Sequence, residues 1–519
     1  MRKPIPFFPL VLAAFPIVAL YAVNYAMVPI EDVWRPLGLT VAGAAIVWLV
    51  FALIARNVAK GAVVTAVFLA LFFTFGLIGK HVPSTVLQGA DVLILGLVVL
   101  LVLRSKRDFS QLVRSLNFGA TVLIVLPLIQ ILTVHRSAKA GAFLSVDLPV
   151  KATAATVQSR PDIFFIIVDC YGRADQLKRV MGYSNDPFVS QLRSRGFFVA
   201  DRSHSNYDQT QLSIAATLNL TFVQDYPKTF PRDSDDRRPL SDGTNLSFAA
   251  SYLRRLGYKY IAVTSGYPLD FHSADLNFKR PMVRSMIENT YIQFTPITVD
   301  NSAITTMFED RRDCLVGAFQ NLKYLAEPMP QPKFVVAHIL APHPPFVFDA
   351  NGRPIRQPGI PFGFYDGSDY MGAGGTHQTY RDGYVGQVQF LNGQLLQIID
   401  AIVSKAKTPP VIIIEGDHGS KLGLDQNNIA KTDLHECMSN FMAFYVPPSV
   451  KSLLYPQITS INTFRTLFDG LFNEHLPLAP DRSYYSPFTE PYQFVDVTKQ
   501  VADQPLTAAT TQPAPSPAG

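Results

Sequence analysis

At 519 residues the chain is long enough for two or more domains. Its net charge is +5 with only 16% charged residues, which excludes the clustered Lys and Arg of a nucleic-acid binder. Hydrophobic residues reach 48%, but the long apolar runs nearly all precede residue 135.

Five apolar segments lie there: Phe7–Tyr25, Leu37–Ile54, Gly61–Ile78, Ala90–Leu103 and Phe118–Val134. A helix crosses a bilayer with about 20 residues, and about 17 is the lower limit. The fourth segment reaches that length only with residues before Asp91. A cleaved signal peptide fits the first poorly, since no small-residue cleavage site follows it and further spans do. Basic residues mark alternate loops: Arg2 and Lys3, then Arg56 and Lys60, then Arg104, Lys106, Arg107 and Arg114. The N-terminus is therefore expected in the cytoplasm, and five spans put everything after Val134 on the far side. The expected organisation is a membrane domain over 1–135, a linker over 136–160, a catalytic domain over 161–500 and a disordered tail over 501–519. The expected location is the cytoplasmic (inner) membrane, with the large domain extracytoplasmic or periplasmic.

The linker is small and polar, and the tail from Thr507 is mostly Thr, Ala and Pro. Between them strands and helices alternate. Strands are expected at Ile163–Val168, Tyr258–Thr264, Phe334–Ile339, Val411–Glu415 and Phe441–Val446. Several are apolar throughout, as suits strands buried on both faces of a parallel sheet. The clearest helix is Tyr384–Ser404, with Val388, Leu391, Leu395, Ile398, Ile399 and Ile402 at three- and four-residue spacing. This alternation predicts a doubly wound, mostly parallel α/β domain. The region 345–380 reads as long loops over the strand ends. Three cysteines form no disulfide framework. Cys170 reads as a small buried thiol, and pairing of Cys314 with Cys437 stays open.

Two apolar strands end in carboxylates. Phe164-Phe165-Ile166-Ile167-Val168 runs into Asp169, and Val411–Glu415 runs through Gly416 into Asp417-His418-Gly419. In open α/β sheets such strand ends form the binding crevice. Two oxygen donors and an imidazole suit Zn or Mn, and less well Mg or Ca. A metal also lowers the pKa of a coordinated hydroxyl, so a nucleophile belongs among the ligands. Thr210 is the candidate, where polar loop gives way to helix and the helix N-terminus favours an oxyanion. Taken singly, Asp417-His418-Gly419 reads equally as a turn and Thr210 as a helix N-cap; the combination carries the metal-site reading. His338 and His435 are candidates for a second metal or for substrate, with Asp433 and Asp349 as possible carboxylates for it. Asn206 and Arg173 are candidate oxyanion or headgroup contacts.

Asp169 at a strand end, Thr210 41 positions later (210 − 169) in T-x-x-S, and the late G-D-H-G resemble the alkaline phosphatase/sulfatase-like superfamily. The pattern is most similar to its membrane-anchored lipoteichoic acid synthase and phosphoethanolamine transferase branch. That resemblance covers nearly the whole chain. It implies an alkaline-phosphatase-like fold and a catalytic threonine at Thr210 that carries the phosphoryl group. It also implies one metal held by Asp169, Thr210, Asp417 and His418, with membrane lipids or cell-envelope glycans as donor and acceptor. The segment His343-Pro344-Pro345-Phe346 is similar to the His-x-Pro-Phe stretch of lipoteichoic acid synthases, which implies that His343 meets the substrate, either binding the phosphoryl group or protonating the leaving oxygen. The transferases generally carry Glu where this chain has Asp169. The Cys-x-Pro-Ser-Arg signature of formylglycine sulfatases is absent. The expected function is thus metal-dependent phosphotransfer or phosphodiester hydrolysis. Simple ester hydrolysis and an inactive glycan-binding domain are the alternatives.

Overall fold

A computed structural model of the chain describes residues 4–25, 28, 30–79, 81–139, 148–157, 159–226, 230–266, 269, 271–280, 285–298 and 302–502. The expected tail from 503 onward, and residues 140–147 and 158 of the expected linker, lie outside the described residues. Five apolar helices come first: α1 (Phe8–Asn24), α2 (Glu31–Ala55), α3 (Val58–Ile78), α4 (Ser84–Arg104) and α5 (Ser110–Lys139). By length and composition α2, α3, α4 and α5 can cross a membrane, whereas α1 has 17 residues and sits at the lower limit. The fourth helix gains its length upstream, from Ser84. Asn117 of α5 ties down the chain start, accepting from Phe8 N–H at 3.0 Å and donating to the Ile5 carbonyl at 2.9 Å.

The α/β part is built on a seven-stranded sheet. Its strands are β1 (Ile163–Val168), β2 (Phe198–Ala200), β3 (Lys259–Thr264), β4 (Leu276–Lys279), β5 (Lys333–Ile339), β6 (Val411–Glu415) and β7 (Met442–Tyr445), in the order β2-β7-β6-β1-β5-β3-β4. Strands β6, β1, β5, β3 and β4 run parallel, and β7 is antiparallel to both its neighbours. Residues of β1 alternate between two cores. Phe164, Ile166 and Val168 meet the helices Ser302–Tyr324 and His377–Lys405, whereas Ile163, Phe165 and Ile167 meet Thr210–Asn219, Phe248–Arg255 and Thr463–Phe472. Both faces are covered, so the central strands are continuous apolar runs. The sheet is doubly wound.

One segment joins the two parts. In the helix Met286–Ile292, Ile287 and Tyr291 cluster with Ile17, Val28 and Val33 of the membrane region. Tyr291 Oη meets Thr40 Oγ1 at 3.1 Å, Arg35 pairs with Glu288 at 3.4 Å, and Gly76 N–H donates to the Phe294 carbonyl at 2.9 Å. The next helix, Ser302–Tyr324, carries Arg311, which donates to the carbonyls of Ser265 and Leu340 just past β3 and β5. Nine residues of helix, about 14 Å, separate Ser302 from Arg311. Arg311, 13 residues (311 − 298) beyond the segment that packs on the membrane helices, thus reaches the C-terminal ends of β3 and β5.

Candidate metal centre

Strand β1 lies between β6 and β5, and all three run parallel. Their C-terminal ends bring Asp417 and His418, Asp169, and His338 to one sheet edge. Cys170 directly after Asp169 has φ 67, a left-handed conformation that costs a side-chain-bearing residue about 1–3 kcal/mol. This bend aims the Cys170 N–H at Asp417 Oδ1, 3.0 Å away, and so links the two strand tips. The loop after His418 is held just as firmly. Gly419 N–H donates to the Cys437 carbonyl at 2.7 Å, and a side chain at 419 would run into the Glu436 carbonyl. The buried Glu436 carboxylate accepts from Ser420 Oγ at 2.8 Å, Leu422 N–H at 2.7 Å and Gly423 N–H at 2.8 Å.

Thr210 is the first residue of the helix Thr210–Asn219, as its polar-to-apolar transition predicts. Its Oγ1 lies 3.1 Å from His418 Nε2. The other ring nitrogen, His418 Nδ1, lies 3.0 Å from the Gly419 carbonyl and must donate to it. Nε2 then carries a lone pair, accepts from the Thr210 hydroxyl, and faces Asp417 Oδ2 at 3.2 Å and Asp169 Oδ1 at 3.8 Å. Neither carboxylate oxygen has a hydrogen-bond partner, although both are buried. One donor atom each from Asp169, Asp417 and His418 lies within 4.8 Å of the others. Two unpaired carboxylate oxygens opposing an imidazole lone pair repel one another, and burial raises that cost. A divalent cation among them removes it. The residues present fit a metal, and three oxygens with one nitrogen match the donor preference of Zn or Mn.

The electrostatics follow from the same geometry. Burial pushes Asp417 up, and the neighbouring Asp169 adds to the shift. Burial also pushes Asp169 up, but the His343 charge and the His338 hydrogen bond outweigh it, so Asp169 stays ionised well below the usual range. Burial lowers His418 despite Asp417, which keeps the imidazole neutral.

The remaining candidates separate. His338 Nε2 bonds Asp169 Oδ2 at 3.1 Å, so it orients the first carboxylate. His343 lies next to the cluster: its N–H donates to the Asp169 carbonyl at 3.3 Å. Its ring meets acceptors on both sides, the Pro344 carbonyl at 2.5 Å from Nδ1 and Asp366 Oδ2 at 3.3 Å from Nε2, so both nitrogens carry protons. The structure does not bring Asn206 or Arg173 to this cluster as free donors. Asn206 spends its amide on Arg482 O and Ile461 N–H, both at 2.8 Å, and Arg173 is engaged by Asp175 at 2.6 Å and Ser203 O at 3.0 Å. His435 faces His204 with ring centroids 6.0 Å apart. Asp433 pairs with Arg179 at 2.8 Å, and Asp349 closes a turn onto Asn351 and Arg353. Among the described residues these groups form no second ligand cluster. All three cysteines are free and buried, so Cys314 and Cys437 do not pair. Two functional candidates lie outside the expected set. Buried Lys421 pairs with Asp366 at 3.2 Å, and the signal for it was the continuation of Asp417-His418-Gly419-Ser420 by one residue.

No protein-family model and no curated protein matches this chain. Several solved structures are similar to it. One is the C-terminal periplasmic domain of EcEptC from Escherichia coli in complex with Zn, at 11% identity over 68% of this chain and 96% of that one, TM-score 0.43. Another is the integral membrane protein lipooligosaccharide phosphoethanolamine transferase A (EptA) from Neisseria meningitidis, at 13% identity over 90% and 95%, TM-score 0.38. A third is a protein in the alkaline phosphatase superfamily from Vibrio parahaemolyticus, at 11% identity over 65% and 74%, TM-score 0.36. At these identities no residue role transfers from them.

Proposed function

We propose that the chain is a membrane-anchored, metal-dependent phosphotransferase or phosphodiesterase acting on a headgroup phosphodiester, with Thr210 as nucleophile. The observation that carries this reading is the meeting of the Thr210 hydroxyl, the His418 lone pair and two unpaired buried carboxylate oxygens at one sheet edge. Asp169, Thr210, Asp417 and His418 would hold the ion. When bound, a divalent ion lowers the pKa of the threonine hydroxyl and offsets charge on the phosphoryl oxygens. The Thr210 hydroxyl loses its proton to solvent, its oxygen attacks phosphorus, the bond to the leaving alkoxide breaks, and a phospho-threonine forms. His343, protonated at both ring nitrogens, would turn its Nε2–H from the 3.3 Å contact with Asp366 and give that proton to the leaving oxygen. The neutral ring then takes a proton from an incoming hydroxyl, whose oxygen attacks phosphorus and restores Thr210.

A lipid or cell-envelope glycan substrate suits a domain that follows apolar helices long enough to cross a membrane and packs on them through Met286–Ile292. On this reading the shorter helix Phe8–Asn24 crosses as well, and five spans from a cytoplasmic N-terminus would put the site outside the cytoplasm. The test is Thr210→Ala in the full-length protein, supplied with labelled phosphatidylethanolamine or phosphatidylglycerol with and without a glycan acceptor. Turnover should vanish at unchanged melting temperature, and the product ratio separates transfer from hydrolysis. Wild-type turnover in Thr210→Ala would remove the nucleophile assignment.

A further inference from the structure

Three charged groups adjoining the metal centre are left unexplained by holding a metal. Asp366 precedes the short helix Gly367–Gly372, and its carboxylate is fully committed: Oδ1 accepts from Gln426 Nε2, and Oδ2 meets both His343 Nε2 at 3.3 Å and Lys421 Nζ at 3.2 Å. The Lys421 side chain is 8% exposed. Among the described residues Asp366 is its one hydrogen-bond or ion-pair partner. An ammonium has three N–H donors, so two are unspent in the interior, where an unsatisfied donor is costly. The backbone also dictates where Lys421 sits. It lies three residues beyond His418, on the loop that Glu436 ties down through Ser420, Leu422 and Gly423. Its charge is felt at Asp417 and at Asp208, two residues before Thr210.

We propose that Lys421 contacts substrate: its two free N–H groups bind a non-bridging oxygen of the phosphoryl group presented to Thr210, while the ion pair with Asp366 fixes the ammonium. This rests on the phosphoryl-transfer reading above. The ligand chemistry is a tetrahedral phosphate anion, whether free or in a headgroup. A hydrogen bond between an ammonium and such an oxygen is charge-assisted and among the strong ones.

The test is isothermal titration of inorganic phosphate into full-length, zinc-loaded protein in detergent. The proteins compared are wild type, Lys421→Met, the charge-neutral double variant Asp366→Asn/Lys421→Met, and Thr210→Ala. Zinc content and melting temperature are measured alongside. Lys421→Met should bind phosphate about 10–100-fold more weakly at unchanged zinc content, the loss expected of one charge-assisted hydrogen bond. If the single variant fails to fold because Asp366 loses a partner, the double variant decides, and the same weakening is expected there. Wild-type phosphate affinity in the folded variant overturns the proposal. The two readings fail separately. An inactive Thr210→Ala with phosphate binding unmoved by Lys421→Met sinks only the lysine contact. An active Thr210→Ala sinks the nucleophile whatever Lys421 does.

Discussion

Replacing Asp417 by Asn should change stability in opposite directions with and without metal. Without metal, Asp417 Oδ2 is a buried carboxylate oxygen with no hydrogen-bond partner, 3.2 Å from a lone pair on His418 Nε2. Asparagine keeps the acceptor for Cys170 N–H and turns the orphan oxygen into an N–H donor aimed at that lone pair. Removing an unsatisfied buried acceptor and its charge is worth about 1–3 kcal/mol. For a domain this large, that shifts the melting temperature upward by a few degrees, roughly 2–4 °C per kcal/mol or somewhat less. With metal the sign reverses. A cation at 1,000 times its Kd stabilises the wild type by about 4.1 kcal/mol, and the variant loses most of that with its ligand. The assay is thermal melting of the full-length protein in detergent at pH 8, once with EDTA and once with a zinc buffer. A variant that melts below wild type in EDTA yet keeps the full zinc shift would refute the reasoning.

Further expectations are tested in the same preparations. Glu415 is buried at the end of β6, accepts from Thr463 Oγ1 at 2.9 Å, and is pushed by burial up to about 8. Its folded pKa exceeds its unfolded value, so its contribution is fully present below about pH 4.5 and is lost as pH rises through about 8. Glu415→Gln should therefore flatten the fall in stability across that window, removing a slope of up to about 1.4 kcal/mol per pH unit; an unchanged slope in urea titrations assigns the pH dependence elsewhere. Tyr291→Ala removes a buried ring and the contact to Thr40 from the join with the membrane helices, and should cost about 2–4 kcal/mol there. Protease sensitivity near residues 285–298 should rise. Activity on a vesicle-embedded substrate should fall more than on a soluble one, and equal losses would show that the join does not orient the site.

Much of the fold was readable because buried central strands leave continuous apolar runs, and β1, β5 and β6 fall within a residue of their expected ends. Strands β2 and β4 escaped for a physical reason. One is apolar but has only three residues, too short a run to read as a strand, and the other is a largely exposed edge without an apolar signature. The long helix starts at His377, seven residues before its expected start at Tyr384, because Thr376 caps it by accepting from Thr379 N–H at 3.1 Å. Direction was also hidden: β7 is as apolar as its parallel neighbours, yet runs against them. At the site, Asp169, Asp417 and His418 stood out as polar groups at the tips of apolar strands. Asp366 had no such contrast, lying in a loop of Gly, Pro, Tyr and Asp, and its meeting with His343 and Lys421 exists only after folding. Asn206 misled for the converse reason. Closeness in sequence to Thr210 says nothing of an amide whose ends are both taken by backbone groups.

Anomalous diffraction at the zinc edge, from crystals of the zinc-loaded protein, measures the convergence itself. The expected map has one peak about 2.0–2.2 Å from Asp169, Asp417 and Thr210 oxygens and from His418 Nε2. A peak bound elsewhere, or one that leaves the Thr210 hydroxyl outside coordination distance, would contradict it.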